Sequence, residues 1–339
     1  MKLRLGLIGL GQSWATRHRP ALHALSSRFE VRAVCDPVAH RAEQVALEMH
    51  ARPMDGFRAV ARCEDVDALM LLSARWYGAL PILAACDFGK GVYCGASVNL
   101  DAQQASQLRD RVRDAGIAFM AEFPKRLAPA TTRLQELMAT RLGRPRLVFC
   151  NERHATRNGH GNGGDAPANM RRLVEMVDWC SFVVNRPVRS VTGSAYEDAP
   201  SAVLSDQPCS DYSLLTVTYQ PNPQDECGAM AQIACGSYVP QAWSDATSYR
   251  RPADMQVVCQ RGIAFIDLPD RLVWFDEAGQ HIESLDAERP VAEQLLMQFH
   301  RSVSSLVLQG SGLEDAYRAA SLVIAGQRSF AEDKRIEFA

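Results

Sequence analysis

The sequence predicts an α/β fold in two domains. These are a doubly wound parallel sheet over residues 1–122 and an α+β domain with a large, open, mostly antiparallel sheet over 123–339. The chain has 339 residues, more than one domain usually holds. Its first third alternates short apolar strands with helical stretches, the pattern of a parallel sheet. The remainder places consecutive strands between a few long helices, which indicates an antiparallel or mixed sheet.

In the first domain strands alternate with helices, so right-handed crossovers should return the chain to a parallel sheet. Asp101 is the expected cap of the helix that follows it. Strands are predicted over 3–8, 31–35, 66–72, 91–94 and 117–121, and helices over 38–50, 79–86 and 101–115.

The second domain is expected to place one face of its sheet on helices and to leave the other free. Asn185 and Pro187 should end its first long helix. Helices are predicted over 129–140, 169–184, 292–308 and 313–330, and strands over 146–150, 190–195, 212–219, 229–235, 255–259, 263–266 and 272–275. The last helix is expected to pack back on the first domain.

A dinucleotide-binding turn is the most informative local feature. Gly9-Leu10-Gly11 follows the first strand directly, and Asp36 ends the second. Two glycines let the backbone approach a pyrophosphate, which the helix N-terminus then stabilises. A carboxylate at Asp36 would bind the adenosine ribose and repel a 2′-phosphate, so NAD is favoured over NADP. The alternative is a buried turn that binds nothing.

The third position of this fingerprint departs from the usual pattern. A small residue normally stands there so that helix and strand can pack closely, but this chain has Trp14 followed by Ala15. Either the turn carries one extra residue, or an indole lies near the phosphates. Gln12, Ser13 and Trp14 are therefore counted with the glycines, Leu10 and Asp36 as cofactor-binding candidates.

Composition narrows the class of protein. Apolar residues make up 47% of the chain, charged residues 22%, and the net charge is −2, which is typical of a soluble enzyme. No basic face indicates nucleic acid or a membrane surface, and no apolar run or signal peptide is evident. We therefore expect a cytoplasmic protein with a small-molecule substrate.

The cysteines and histidines do not predict a metal site. The ten cysteines show no Cys-x-x-Cys pair, and several fall in apolar strands, so reduced core thiols are expected. His154 and His160 stand in a glycine-rich segment, for which a mobile loop is favoured over a metal site.

Motifs spread along the chain carry a family resemblance. They are Gly9-Leu10-Gly11, His18-Arg19-Pro20-Ala21-Leu22, Val34-Cys35-Asp36-Pro37, Val66-Asp67-Ala68-Leu69, Phe88-Gly89-Lys90-Gly91-Val92-Tyr93-Cys94, Arg126-Leu127-Ala128-Pro129 and Leu142-Gly143-Arg144-Pro145. With them the chain resembles the Gfo/Idh/MocA family of glucose–fructose oxidoreductase, inositol dehydrogenase and their relatives over essentially its whole length. The resemblance implies a Rossmann domain and hydride transfer between NAD(P) and a sugar- or polyol-like alcohol or keto compound. It also implies a homodimer or homotetramer built through the C-terminal sheet.

The resemblance weakens at the positions where the family carries its catalytic and cofactor-contacting residues. Where the family usually has Glu-Lys-Pro, with a lysine that contacts cofactor and substrate, this chain has Gly95, Ala96 and Ser97. Where the family has His-x-x-Asp, this chain has Glu175 and Asp178. The segment that usually lies along the nicotinamide contributes Ser73, Ala74 and Arg75, which are counted with Gly95 as cofactor-binding candidates, and it lacks the family's histidine.

Two alternatives follow for Glu175. It lies one helical turn from Asp178 on the same face, so the two carboxyls, with their pKa values separated by burial, would act as acid and base. Alternatively, Glu175 pairs with Arg171 or Arg172 on a solvated helix face.

Lys125 is a candidate for the missing ammonium. It stands beside Arg126 just past a predicted strand, at the edge where parallel sheets bind ligands. The alternative is an ordinary surface lysine. The catalytic candidates are therefore Glu175, Asp178, Lys125 and Arg126.

Arg75, Trp76 and Tyr77 form an unusual cluster. Such a group binds an anionic or aromatic substrate by a bidentate contact and stacking, or Trp76 fills an interface between domains.

Three functions remain open at this point. The first, which we adopt, is an NAD-dependent oxidoreductase with unusual acid/base residues. The second is a nicotinamide-binding protein without chemistry, acting as a sensor or subunit, and the third is a redox-neutral lyase or glycosidase-like enzyme of the same fold.

Overall fold

The computed structural model describes residues 2–74, 77–96, 98, 100–155, 168–197, 211–221, 228–305 and 311–338. The chain divides into two compact units. Unit 1 combines residues 1–124 with 288–318, and unit 2 combines 125–287 with 319–339. Unit 1 therefore includes a carboxyl-terminal segment as well as the amino-terminal one.

Unit 1 contains the predicted parallel sheet. Among its described residues the strands are β1 (Leu3–Ile8), β2 (Phe29–Cys35), β3 (Arg52–Pro53), β4 (Ala68–Leu71), β5 (Gly91–Cys94) and β6 (Phe119–Ala121). They are parallel and lie in the order β3-β2-β1-β4-β5-β6. The order reverses between β1 and β4, and ligands bind at the carboxyl ends of the strands beside such a reversal.

The helices of unit 1 begin with α1 (Arg19–Ala24), α2 (Ala39–Glu48), α3 (Phe57–Arg62), α4 (Leu80–Asp87) and α5 (Ala102–Ala115). Asp101 caps α5 as predicted, because its carboxylate accepts the Gln104 amide while the Gln104 side chain accepts the Asp101 amide. Gly116, with φ of 61°, ends the helix.

The carboxyl-terminal segment of unit 1 contains α8 (Val291–Ser304) and the start of α9 (Ser311–Glu332). Phe299 packs edge-on against Tyr93 of β5 with ring centroids 5.5 Å apart, and His300 meets Phe29 of β2 at the same distance. Burial of these rings ties α8 to the parallel sheet.

Unit 2 is built on a mixed, mostly antiparallel sheet. Its described strands are β7 (Pro145–Ala155), β8 (Val188–Glu197), β9 (Asp211–Tyr219), β10 (Met230–Val239), β11 (Met255–Cys259), β12 (Ile263–Asp267), β13 (Arg271–Asp276), β14 (Gly279–Ser284) and β15 (Ile336–Glu337). Their order is β14-β13-β12-β11-β7-β10-β9-β8-β15, with only β7 and β10 parallel among the described pairs.

One face of this sheet packs on helices α6 (Pro129–Leu137) and α7 (Ala168–Val184). Its buried residues include Val148, Ile233, Val257 and Trp274. The opposite, open face carries alternate residues of the same strands, among them Leu147, Phe149, Val258, Phe265, Val273, Phe275 and Ile282, which are half-buried or exposed. The fold class predicted from the sequence is confirmed.

Some elements differ from the prediction. The strand predicted over 146–150 continues to Ala155, and β14 was not predicted. A 3₁₀ segment, Gln241–Thr247, follows β10. The eight described cysteines are free thiols, mostly buried. Among the described residues, no helix has the length and apolar character needed to cross a bilayer.

Candidate functional site

The turn after β1 needs both glycines for close backbone contact. Gly9 has φ of 66°, a conformation that L side chains rarely adopt. A Cβ at Gly9 would lie 2.4 Å from the Ser73 carbonyl oxygen, and one at Gly11 would lie 2.4 Å from the Leu72 oxygen. The backbone of the turn therefore packs directly against the residues that follow β4.

The same turn presents backbone donors. Within the described residues, the amides of Gly11, Gln12 and Ser13 donate to no backbone carbonyl. Successive unpaired amides at a helix entrance form an anion-binding concavity. The residues present therefore fit a diphosphate.

Trp14 begins a π-helical turn, Trp14–His18, before α1. The His18 amide donates to the Ser13 carbonyl at 3.2 Å, a five-residue spacing that accommodates one residue more than an α-helical turn. This agrees with the alternative of an extra residue in the turn. The Trp14 side chain is buried, with 4% of the residue exposed.

Asp36 lies at the end of β2 and contacts the turn. Its Oδ2 accepts the Leu10 amide at 2.7 Å, and its Oδ1 accepts the Val38 amide at 3.0 Å. Each oxygen keeps acceptor capacity for a ribose hydroxyl. Arg41, which is exposed, donates to the Gly11 carbonyl at 3.5 Å and is the nearby cation.

A buried carboxylate lies under Gly95, at the carboxyl end of β5. Glu122 accepts hydrogen bonds from Arg17 and, at 2.9 Å, from His18 Nε2. A Cβ at Gly95 would lie 2.5 Å from Glu122 Oε2, so the carboxylate occupies the space of a side chain at position 95. Burial raises the pKa of Glu122, but His18 and Arg17 outweigh it and the net pKa is lowered. Glu122 was not predicted from the sequence as a site residue.

Of the other residues predicted to bind the cofactor, some are described by the structure and some are not. Ser73 and Ala74 follow β4, and Ser73 lies against the Gly9 turn. Arg75 and Trp76 lie outside the described residues. The Tyr77 ring packs edge-on against Phe57 at 5.4 Å, so Tyr77 contributes to the core of unit 1.

Among the catalytic candidates, Arg126 and Asp178 form a two-point ion pair in unit 2. Arg126 Nε donates to Asp178 Oδ2 at 2.7 Å, and a second guanidinium nitrogen donates to Oδ1. Asp178 is almost fully buried, and the guanidinium lies 5.1 Å from the Phe182 ring. The pair fixes Arg126 of the 124–127 turn on α7.

Glu175 accepts a hydrogen bond from Arg171 Nε at 2.8 Å. The structure therefore contains the ion pair that was the alternative to an acid/base role. The spacing of four residues places the two side chains on one helix face.

Lys125 is not a surface lysine, since 19% of its side chain is exposed. Its Nζ lies 3.3 Å from Glu152 Oε2 and 5.6 Å from the centre of the Trp179 ring. Thr131 holds the backbone beneath it, because its hydroxyl donates to the Lys125 carbonyl and accepts the Trp179 indole N–H. Burial lowers the pKa of Lys125, but the carboxylates of Glu152 and Glu175 help to raise it overall.

Glu152 and His154 complete this cluster. Glu152 was not predicted from the sequence as a site residue. His154 Nε2 lies 2.9 Å from Glu152 Oε1, and Arg172 Nε lies 3.7 Å from the same oxygen. Burial opposes ionisation of Glu152, yet His154 and Lys125 lower its pKa to about 2. We call Lys125, Glu152, His154, Arg172 and Glu175 the Lys125 cluster.

The prediction of a mobile loop at His154 is wrong, because β7 extends through it. Val148 and Cys150 are buried on the helix side, and Glu152 and His154 continue their alternation. Residues 151–154 are all polar, so no apolar alternation in the sequence indicated this continuation. His160 lies outside the described residues.

Comparison with known proteins finds a family match for the amino-terminal region. Residues 3–123 match the family model GFO_IDH_MocA, an oxidoreductase family with an NAD-binding Rossmann fold. Over these residues the chain belongs to the Gfo/Idh/MocA family. It is 25% identical to inositol 2-dehydrogenase of Rhodococcus erythropolis, over 98% of this chain and 94% of that protein. It is 30% identical to D-xylose 1-dehydrogenase (NADP(+)) 2 of Haloferax volcanii, over 41% of this chain, and so spans less than half of that protein (42%).

Solved structures share the fold of this chain. The aldose-aldose oxidoreductase of Caulobacter crescentus superposes with a TM-score of 0.78 at 13% identity, over all of both chains. The UDP-N-acetylglucosamine 3-dehydrogenase of Acidithiobacillus ferrooxidans gives 0.75 at 18% identity, over 98% of this chain and 99% of that one.

Proposed function

We propose that this chain is an NAD-dependent oxidoreductase acting on a sugar- or polyol-like alcohol or the corresponding keto compound. The observation that carries the proposal is the turn after β1. Within the described residues its amides at 11–13 donate to no backbone carbonyl, and the Asp36 carboxylate accepts the Leu10 amide of the same turn. The inositol and xylose dehydrogenases among its relatives support the class of substrate.

The turn residues Gly11 to Ser13 would hold the diphosphate, and Asp36 the adenosine ribose. When bound, nicotinamide exchanges a hydride with the carbinol carbon of the substrate. NADP is disfavoured because its 2′-phosphate would meet the Asp36 carboxylate.

In unit 2 we assign Lys125 to the substrate oxygen. Its raised pKa keeps the ammonium charged, so it acts by stabilising negative charge on that oxygen and not by accepting a proton. Arg126 and Asp178 are positioning residues, since their ion pair holds the turn that carries Lys125. Glu175 adds to the negative charge around the ammonium.

The test is a titration followed by a substrate panel. NADH binding, measured by fluorescence, should be tighter than NADPH binding, and NAD should then support oxidation of at least one polyol or aldose. Failure to bind either dinucleotide at millimolar concentration would overturn the proposal. Binding without turnover across the panel would favour a sensor or subunit instead.

Replacing Asp36 by serine is expected to reverse the dinucleotide preference. We expect NADH to bind about tenfold more weakly and NADPH more tightly, because a ribose acceptor and a repelling charge are lost together. Fluorescence titration of both dinucleotides measures the change, with Asp114→Ser on exposed α5 as the control. An unchanged NADH/NADPH ratio would contradict the role of Asp36.

We also propose that the chain forms a homodimer or homotetramer through the open face of the unit 2 sheet. The apolar residues on that face support this, since such a surface is usually covered.

Ile282→Glu should shift the sedimentation coefficient toward that of a monomer, because a charge would be buried at the interface. Ile282 is 65% exposed, so the fold should tolerate the change. Leu47→Glu on α2, at 81% exposure, is the matched control. A monomeric wild type would refute the proposal.

We propose the cytoplasm as the compartment. The eight described cysteines are free thiols, as is usual in reducing surroundings.

A further inference from the structure

The members of the Lys125 cluster differ in their ability to exchange a proton near neutral pH. Lys125 is held as an ammonium and Glu152 as a carboxylate with a pKa of about 2. Arg172 is permanently charged, and Glu175 is paired with Arg171. Imidazole is the side chain that most often serves as a general acid or base in enzymes, which leaves His154.

The geometry of His154 suits this task. Its side chain is 24% exposed, so the ring is both held by its surroundings and open to a small molecule. Nε2 is buried and lies 2.9 Å from Glu152 Oε1, although no acceptor among the described residues stands in line with its N–H. Catalytic hydrogen bonds are often poorly aligned before substrate binds.

We infer that His154, oriented by Glu152, is the residue that takes the hydroxyl proton of the substrate. The inference rests on the proposed function. As the C–H pair of electrons leaves with the hydride for oxidised nicotinamide, the O–H bond breaks, the proton bonds to the free ring nitrogen of His154, and the oxygen keeps its electron pair to form the carbonyl. Glu152 then faces the imidazolium.

This assignment replaces the residue that the resemblance places on α7. That position is Glu175, whose carboxylate is bound to Arg171. His154 comes instead from β7, and Arg172, one turn before Glu175, contacts the same Glu152 oxygen as His154. The strand and the helix thus contribute to a single cluster.

The decisive variant is His154→Gln, which keeps a polar side chain of similar size but cannot exchange a proton. We expect kcat to fall by about 10²–10⁴-fold on the panel alcohol that wild type oxidises fastest, with the NADH dissociation constant within about twofold of wild type. The matched control is His40→Gln on exposed α2, which should keep wild-type kcat. Glu152→Gln, a positioning change, should lower kcat by a smaller factor.

A second measurement does not depend on activity. The pKa of the Glu152 carboxyl, followed by ¹³C NMR, should be about 2 in wild type and should rise toward its ordinary value in His154→Gln, because a favourable contact is removed. No rise would show that the two side chains do not interact in solution.

The outcomes separate this inference from the proposed function. Wild type that binds neither dinucleotide, or turns over no alcohol, overturns both. Wild type that turns over while His154→Gln keeps kcat within about threefold overturns the role of His154 alone. A large loss in His154→Gln, together with the shift of the Glu152 pKa, supports both.

Discussion

Replacing Lys125 by methionine is expected to lower kcat/KM by about 10²–10³-fold, the usual effect of removing one charge-stabilising donor from a reacting oxygen. Methionine keeps the length of the side chain and its packing near Trp179 but removes the ammonium. Steady-state kinetics on the best panel alcohol measures the loss. The NADH dissociation constant should stay the same, because the dinucleotide is assigned to residues of unit 1.

Two further variants test whether the loss of activity comes from removal of the ammonium at position 125. Lys125→Arg keeps the positive charge and should retain part of the activity, while Lys2→Met at the exposed start of β1 should retain all of it. Lys125→Met that kept at least a third of wild-type turnover would remove Lys125 from the mechanism. Thermal unfolding should confirm that the variant is folded.

Replacing Glu122 by glutamine is expected to lower the free energy of unfolding by about 3 kcal/mol, because it removes the buried counter-charge of Arg17 and the ionised hydrogen-bond partner of His18. The side chain of His18 is almost fully buried, so solvent cannot compensate. Urea denaturation at pH 7 measures the change. Glu43→Gln on exposed α2 is the matched control and should change little.

The same variant should change the response to acid. The pKa of Glu122 is lowered in the folded chain, so its ionisation stabilises the fold above the pKa of an unfolded glutamate. That contribution is lost as the pH falls through the folded value. Wild type should therefore lose more stability than Glu122→Gln on acidification below about pH 4.5. Parallel losses in the two proteins would refute a buried, ionised Glu122.

The fold could be predicted because its signals are local and repeated. Strand and helix alternate in the first third, and Asp101 and Gly116 mark the limits of α5 in the sequence itself. The prediction ended β7 too early because apolar character stops at Cys150, whereas the strand continues as far as its pairing with β10 does. Pairing is a tertiary property, and a hydrophobic pattern does not report it.

The candidate site was predictable only in part for a related reason. The glycine turn and Asp36 follow consecutive strands of a parallel sheet. Their proximity in the fold could therefore be inferred from the order of the strands in the sequence. Glu122 fills space at Gly95 from the adjacent strand β6, and Glu152 meets Lys125 across 27 residues of sequence. Contacts of this kind depend on strand order and side-chain direction. The π-helical turn at Trp14 likewise could not be inferred from the residue types, which left open whether the turn carries an extra residue.

The two-segment construction of unit 1 has a consequence for synthesis of the chain. Phe299 covers Tyr93 from a helix that follows every strand from β7 to β14. A nascent chain therefore displays the parallel sheet without α8 until residues 291–304 have been translated. Chains generally fold as units in order of emergence. The amino-terminal part of unit 1 therefore stays partly exposed until α8 has been synthesised and packs against Tyr93.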